Sequence, residues 1–102
     1  MKKMLTGLQP TGIITFGNYI GSIKKMVENQ DKYDSYIFVA DMHAITVQQY
    51  PVELKKNISN LIALYLACGI DSSKNVIYVQ SDNPYVANIS WMLECNTYYG
   101  EL

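Results

Sequence analysis

The sequence contains no arginine, so its positive charge comes from lysine alone. Eight lysines face nine acidic residues, which leaves a net charge of −1 at pH 7. Binding along the phosphate backbone of a duplex or a folded RNA requires a surface rich in Lys and Arg. The composition therefore argues against a basic nucleic-acid-binding face within these 102 residues.

Cysteine and histidine are also scarce, with Cys68, Cys95 and His43 as the only examples. The cysteines lack the close spacing of zinc ligands, and one histidine cannot complete such a set. We therefore expect no metal held by protein ligands, and we expect both thiols to be buried. No Ser-His-Asp, Cys-His or paired-carboxylate arrangement can be argued from the other residues, so covalent and general acid–base catalysis have little support.

Long apolar segments are missing as well. The longest apolar run, near Leu61 to Cys68, is too short to span a bilayer. Lys2 and Lys3 are not followed by the apolar segment of a secretory signal. The hydrophobic content of 49% is typical of a globular protein, and no repeat or linker divides the chain. We predict one domain that acts in the cytoplasm, away from any membrane.

Strand-like runs alternate with helical patterns along the chain. Short apolar runs predict three strands, at Lys3 to Leu8, Tyr36 to Ala40 and Val76 to Val79. Periodic apolar residues predict three helices, over about Asn18 to Gln30, from Pro51 to a cap at Gly69, and from Pro84 to about Tyr99. Because parallel crossovers are right-handed in nearly every known case, the strand order should be 3-2-1. The predicted fold class is α/β: half of a Rossmann-like doubly wound parallel sheet, βαβαβα.

This topology should leave part of the sheet without cover. Both crossover helices must lie on one face, yet the middle strand is apolar on both sides. The last helix is apolar on several sides, and we expect one of its faces to join the core. It cannot cover the whole second face, and the first strand has an open edge. We therefore expect the chain to be a fragment of a larger domain.

The connection from Gly7 to Tyr19 carries three glycines and a proline between the first strand and the first helix. The first amides of a helix have no partners within it and lie at the positive end of its dipole, so they suit a phosphate. Gly17 permits close approach of a ligand, and Thr15 and Asn18 add short polar side chains. Ordinary turn and cap chemistry would also explain these residues. Composition alone leaves both interpretations open.

The order of the residues favours phosphate binding over ordinary turn and cap chemistry. The segment from Pro10 to Tyr19 resembles the first signature of class I aminoacyl-tRNA synthetases, in the variant with Thr and Asn at the two histidine positions. Three further segments agree, namely Gly17 to Gly21, Asp41 to Thr46 and Trp91 to Cys95. Over all 102 residues the sequence resembles the N-terminal part of a bacterial-type tryptophanyl-tRNA synthetase.

The resemblance implies ATP-dependent activation of L-tryptophan to tryptophanyl-adenylate, followed by transfer to tRNA(Trp). Mg²⁺ would accompany the nucleotide without a protein ligand. The implied catalytic residues are Thr15 and Asn18. The implied ATP-binding residues are Gln9, Pro10, Thr11, Gly17 and Asn18. Leu5, Gly7 and His43 would border the tryptophan pocket, with Leu5 where much of the family has an aromatic residue.

The resemblance also implies what these residues lack. Residues 1–102 would be the N-terminal portion of a Rossmann-type catalytic domain, without its second half-sheet, its lysine-rich KMSKS-like loop and the anticodon-binding region. Such a fragment should be nearly inactive alone. The resembling enzymes are homodimers, which places Trp91 and Met92 near the subunit contact. The alternatives are a tyrosyl-tRNA synthetase fragment and a non-catalytic nucleotide-binding or oligomerisation module.

Overall fold

The computed structural model describes residues 2–10, 19–98 and 100. Three parallel strands form one sheet in the order β1-β2-β3, with β1 at Lys3–Leu8, β2 at Asp34–Val39 and β3 at Val76–Val79. The helices are α1 (Lys24–Asn29, after a π-helical turn at Tyr19–Ile23), α2 (Asp41–Ala44), α3 (Pro51–Ala67) and α4 (Pro84–Cys95), with a 3-10 turn at Gln80–Asp82. The predicted α/β class and strand order are therefore confirmed.

The hydrophobic core lies between one face of the sheet and the two crossover helices. Alternate residues of β2 point into it, so Ile37 and Val39 are fully buried. They pack against residues of the first crossover, of α3 and of the loop after it, namely Ile23, Met26, Leu61, Tyr65 and Ile70. Gly69 ends α3 with a φ of 106°, as its predicted role as a left-handed cap requires.

The opposite face of the sheet stays open in the part of the chain that the structure describes. The strand register places Leu5 beside Tyr36, and Phe38 between Gly7 and Tyr78. The side chain of Leu5 is 66% exposed. The rings of Phe38 and Tyr78 lie 5.8 Å apart and give this face an aromatic surface. A partly uncovered second face is what the sequence predicts.

Helix α4 differs from its prediction in two respects. It ends at Cys95, and the two bonds that follow, from the Asn96 side chain to the Met92 carbonyl and from the Thr97 hydroxyl to the Leu93 carbonyl, give partners to carbonyls of its last turn. None of its residues is buried, so the expectation that one face joins the core is wrong for the described residues. Large apolar side chains are exposed on several sides of it: Tyr85, Val86, Ile89, Trp91, Met92 and Leu93.

The two cysteines differ in exposure. Cys68 is half-buried, but Cys95 is exposed at the end of α4, so the prediction of two buried thiols is wrong. Cys95 is the last residue of α4, a helix in which no residue is buried. Across residues 2–10, 19–98 and 100, no helix combines the length and the apolar character that crossing a membrane requires.

Candidate functional site

The carboxyl ends of β1 and β2 lie side by side. Leu8 pairs with Val39, and the amide of Ala40 donates to the Leu8 carbonyl at 2.8 Å. The chain leaves β1 through Gln9, which is exposed, and Pro10, which is buried. Ligands of open parallel sheets bind beyond this edge. The structure therefore brings Gln9 and Pro10 beside the start of the segment after β2, which carries His43.

Asp41 connects the ends of β2 and β3. Its carboxylate oxygen Oδ1 accepts hydrogen bonds from the Met42 amide and the Ser81 amide, both at 3.0 Å. The side chain is only 8% exposed. Because Asp41 begins α2, these bonds set the direction of the short helix that carries His43.

His43 is exposed on α2 and lines a cavity of about 360 Å³ between α2 and α4. Trp91 lines the same cavity, so a residue predicted to bind tryptophan and one predicted to lie at a subunit contact share one space. Met92 lies on α4 with 62% of its side chain exposed. The remaining lining residues are Met42, Thr46, Gln80, Val86, Ala87, Ser90 and Glu94.

Gln80 is a polar residue of this cavity that the sequence reasoning missed. Its oxygen Oε1 is buried and has no hydrogen-bond partner among the residues described. An unpaired buried acceptor costs free energy, so a hydrogen-bond donor placed against this oxygen would be favourable. Gln80 directly follows β3, at the same sheet edge as Asp41, and this position in the sequence could have identified it as a site residue.

Leu5 and Gly7 lie on the open face of β1. A Cβ atom on Gly7 would come within 2.5 Å of the Phe38 carbonyl oxygen and 2.8 Å of its ring. Such distances are too short for any side chain, so glycine is required here for packing. The predicted tryptophan-binding residues therefore occupy two places, with Leu5 and Gly7 on the sheet and His43 beyond its edge.

Tyr65 of α3 is the second residue near this edge that the sequence reasoning missed. Its hydroxyl accepts from the Leu8 amide at 3.1 Å and donates to the Phe38 carbonyl at 3.2 Å. Burial raises the pKa of Tyr65 to about 12. A buried tyrosine needs a hydrogen-bond partner for its hydroxyl, so a tyrosine in a core helix could have been predicted to bond a neighbouring element.

The remaining predicted site residues, Thr11, Thr15, Gly17 and Asn18, lie outside the described residues, so their roles stay predictions. The same holds for the phosphate-binding geometry of their segment. In the part that is described, no group of three or more His, Cys, Asp or Glu side chains could hold a metal ion.

A parallel sheet flanked by helices, with polar groups gathered beyond its carboxyl edge, defines the class of α/β proteins that bind ligands at that edge. The family comparison is more specific. Residues 1–102 match the family described as tRNA synthetases class I (W and Y). The chain belongs to this family.

Individual relatives agree with the family. The tryptophan–tRNA ligase of Bacillus subtilis is 50% identical over 101 residues, which are 99% of this chain and 31% of that protein. The tryptophanyl-tRNA synthetase of Mycoplasma pneumoniae has a TM-score of 0.94 at 36% identity, over 100% of this chain and 30% of that one. The Campylobacter jejuni enzyme, solved with ADP and tryptophan, has a TM-score of 0.89 at 42% identity, over 98% of this chain and 31% of that one. The chain thus spans about a third of the length of these relatives.

Proposed function

We propose that this chain supplies the ATP site and part of the tryptophan site of a tryptophan–tRNA ligase. The observation that carries the proposal is its similarity, over nearly its whole length, to a synthetase solved with ADP and tryptophan. The sheet supports it, because Gln9 and Pro10 leave β1 beside the segment that leads to His43.

The proposed reaction begins with attack of the tryptophan carboxylate on the α-phosphate of ATP. A phosphorus–oxygen bond forms to the carboxylate, the bond to the pyrophosphate leaving group breaks, and tryptophanyl-adenylate results. Displacements of this kind depend mainly on positioning and on donors directed at developing negative charge. Thr15 and Asn18 are proposed to donate hydrogen bonds to the phosphates, and Gln9, Pro10, Thr11 and Gly17 to line the ATP site.

Mg²⁺ belongs to the proposal as the counterion of the nucleotide, where it would neutralise charge on the pyrophosphate leaving group. The side chains of the described residues do not offer a metal site of their own. The residues of this chain are proposed to bind and orient the nucleotide.

Tryptophan is proposed as the amino acid, with Leu5, Gly7 and His43 around it. The family includes enzymes for both tryptophan and tyrosine, but relatives at 50% and 49% identity are tryptophan–tRNA ligases. The tyrosine alternative and the non-catalytic module are therefore not favoured. With no arginine, the chain is proposed to leave most tRNA contacts to other parts of the ligase.

We further propose that the chain is the N-terminal portion of the catalytic domain in a homodimeric, cytoplasmic enzyme. The open sheet face would be covered by the second half of that domain. The exposed apolar sides of α4, including Trp91 and Met92, support a further contact with a partner subunit.

The proposal is tested with a chimera in which this chain replaces the matched 101 residues of the Bacillus subtilis relative. Pyrophosphate exchange with tryptophan and ATP should proceed, and tyrosine should not substitute for tryptophan. Thr15→Ala and Asn18→Ala should each lower kcat by about 100-fold, in the range seen when a transition-state donor is removed. Asn60→Ala, on the exposed side of α3, is the matched control. A chimera that folds but exchanges no pyrophosphate would refute the proposal.

The isolated 102-residue chain makes a second test. Because the lysine-rich loop that would neutralise pyrophosphate is not among its residues, exchange should be nearly absent. Turnover close to that of the chimera would show that the parts outside these 102 residues are dispensable.

A further inference from the structure

The hydroxyl of Tyr65 lies between the carboxyl ends of β1 and β2. It accepts a hydrogen bond from the Leu8 amide at 3.1 Å and donates one to the Phe38 carbonyl at 3.2 Å. The side chain is fully buried in the core and comes from the last turns of α3. A packed helix is thereby bonded to two strands at the edge where ligands are expected.

The arrangement requires a neutral phenol, because one oxygen both donates and accepts. Burial raises the pKa of Tyr65 to about 12, with the Leu8 amide opposing the shift only in part. The hydroxyl therefore keeps its proton throughout the physiological range. A phenylalanine would fill nearly the same volume but would leave both the amide and the carbonyl without this partner.

These bonds fix the last peptide groups before the proposed ATP site. Tyr65 holds the amide of Leu8, and the amide of Ala40 holds its carbonyl. Gln9 and Pro10 follow at once. Among the proposed tryptophan-site residues, Leu5 lies three residues earlier and pairs with Tyr36, and His43 lies on α2, so only Gly7 adjoins the peptide groups that Tyr65 bonds. The nucleotide side of the site thus depends on Tyr65 more than the tryptophan side does.

We infer that Tyr65 is a positioning residue for ATP, acting through the backbone of Leu8 rather than by touching a substrate. The inference rests on the proposed function and adds to it a residue from outside the binding segment. Tyr65 transmits the packing of α3 to the end of β1. Loss of the hydroxyl should leave the core filled, but Gln9 and Pro10, which follow β1, should shift in position.

The test is Tyr65→Phe in the active chimera, with Tyr50→Phe as the control. Tyr50 immediately precedes the same helix and is 68% exposed. Tyr50→Phe therefore removes the same hydroxyl group from a tyrosine, but should not change the free energy of unfolding. Tyr65→Phe should lower kcat/KM for ATP by about tenfold, mainly through KM, as expected for loss of a buried positioning hydrogen bond. The KM for tryptophan should change by about twofold or less, because the ladder holds Leu5. Tyr50→Phe should match the parent chimera.

A second control separates positioning from stability. Leu61→Val removes one methylene from the same core, one turn before Tyr65, and should lower the melting temperature without changing the KM for ATP. An equal rise in this KM for Leu61→Val and Tyr65→Phe would overturn the inference. A Tyr65→Phe chimera that cannot fold while Leu61→Val folds would assign the hydroxyl to stability and overturn it too.

Different results would contradict the proposed function and the role of Tyr65. A folded parent chimera without pyrophosphate exchange contradicts the proposed function. An active parent whose Tyr65→Phe variant has unchanged kinetics for ATP contradicts only the role of Tyr65.

Discussion

Gly7 shows how packing and a candidate site can require the same residue. Any Cβ atom there would meet the backbone oxygen and the ring of Phe38, and a backbone oxygen in a strand cannot move away easily. The family resemblance of the sequence predicts Gly7 at the tryptophan pocket. The structure gives an independent reason for glycine, which is the close approach of β2.

Replacing Gly7 by alanine should therefore destabilise the chain by about 1–3 kcal/mol, the usual cost of overpacking. Urea unfolding measures the change. Gly21→Ala is the control, because nothing lies within 4 Å of its added Cβ and alanine is the better helix former. Equal stability of the two variants would contradict the clash with Phe38.

Tyr65 gives a prediction about alkaline pH. Its pKa is about 12 in the folded chain against an ordinary value of 10.0. Between these values the unfolded chain loses a proton that the folded chain retains, so this contribution to stability is complete below pH 10 and is lost as pH rises through 12. The stability difference between the natural chain and Tyr65→Phe should therefore shrink between pH 8 and alkaline pH, as urea unfolding at the two values would show. A stability difference that is the same at both pH values would contradict the raised pKa of Tyr65 and the buried, hydrogen-bonded phenol that explains it.

At the scale of elements, short polar connections decide how the strand ends are arranged. Asp41 accepts from the amides of Met42 and Ser81, and so joins α2 to the 3-10 turn after β3. The two elements have no other side-chain hydrogen bond between them in the ranges that the structure describes. This carboxylate is therefore a direct link between the helix that carries His43 and the turn after β3.

Asp41→Ala should cost about 1–3 kcal/mol of stability, because two amides at this edge lose their acceptor. Asp41→Asn keeps an acceptor oxygen and should lose less. Asp82→Ala, an exposed change in the same turn, should be close to neutral. Denaturant unfolding of the three variants gives the comparison, and a neutral Asp41→Ala would show that the link is dispensable.

The elements also show what the sequence could and could not predict. The limits of β1 and β3 were predictable, because each strand is a short apolar run with turn residues beside it. The start of β2 was missed, because Asp34 and Ser35 are polar, yet the Asp34 amide pairs with the carbonyl of Lys2. Helix α2 was missed because four residues are too few for a periodic pattern.

The candidate site was predictable in position more than in detail. Parallel order alone places Gln9 near His43 at one edge of the sheet. The hydrogen bonds of Asp41 and Tyr65 could not be predicted, since they join residues 40 and 57 positions apart and depend on tertiary packing.

At the scale of the whole molecule, one apolar surface is partly uncovered and a second is exposed in the described part of the chain. One is the open face of the sheet around Phe38 and Tyr78, and the other is α4, where Trp91 is 67% exposed. Large contiguous apolar surfaces mark contacts with other protein segments. The relatives are about three times longer than this chain, which agrees with the proposal that other segments cover these surfaces.

The isolated chain should therefore associate as its concentration rises, because burying exposed apolar area on a partner is favourable. Trp91→Lys and Met92→Lys should shift the equilibrium toward monomer, while Val52→Lys should not. Val52 is 81% exposed on α3 and is the matched control for an added charge at an apolar surface position. Light scattering across concentrations measures association, and Trp91 emission reports its environment. A monomer at high concentration with red-shifted, solvent-exposed Trp91 emission would contradict contact through α4 and, with it, the proposed role of Trp91 and Met92.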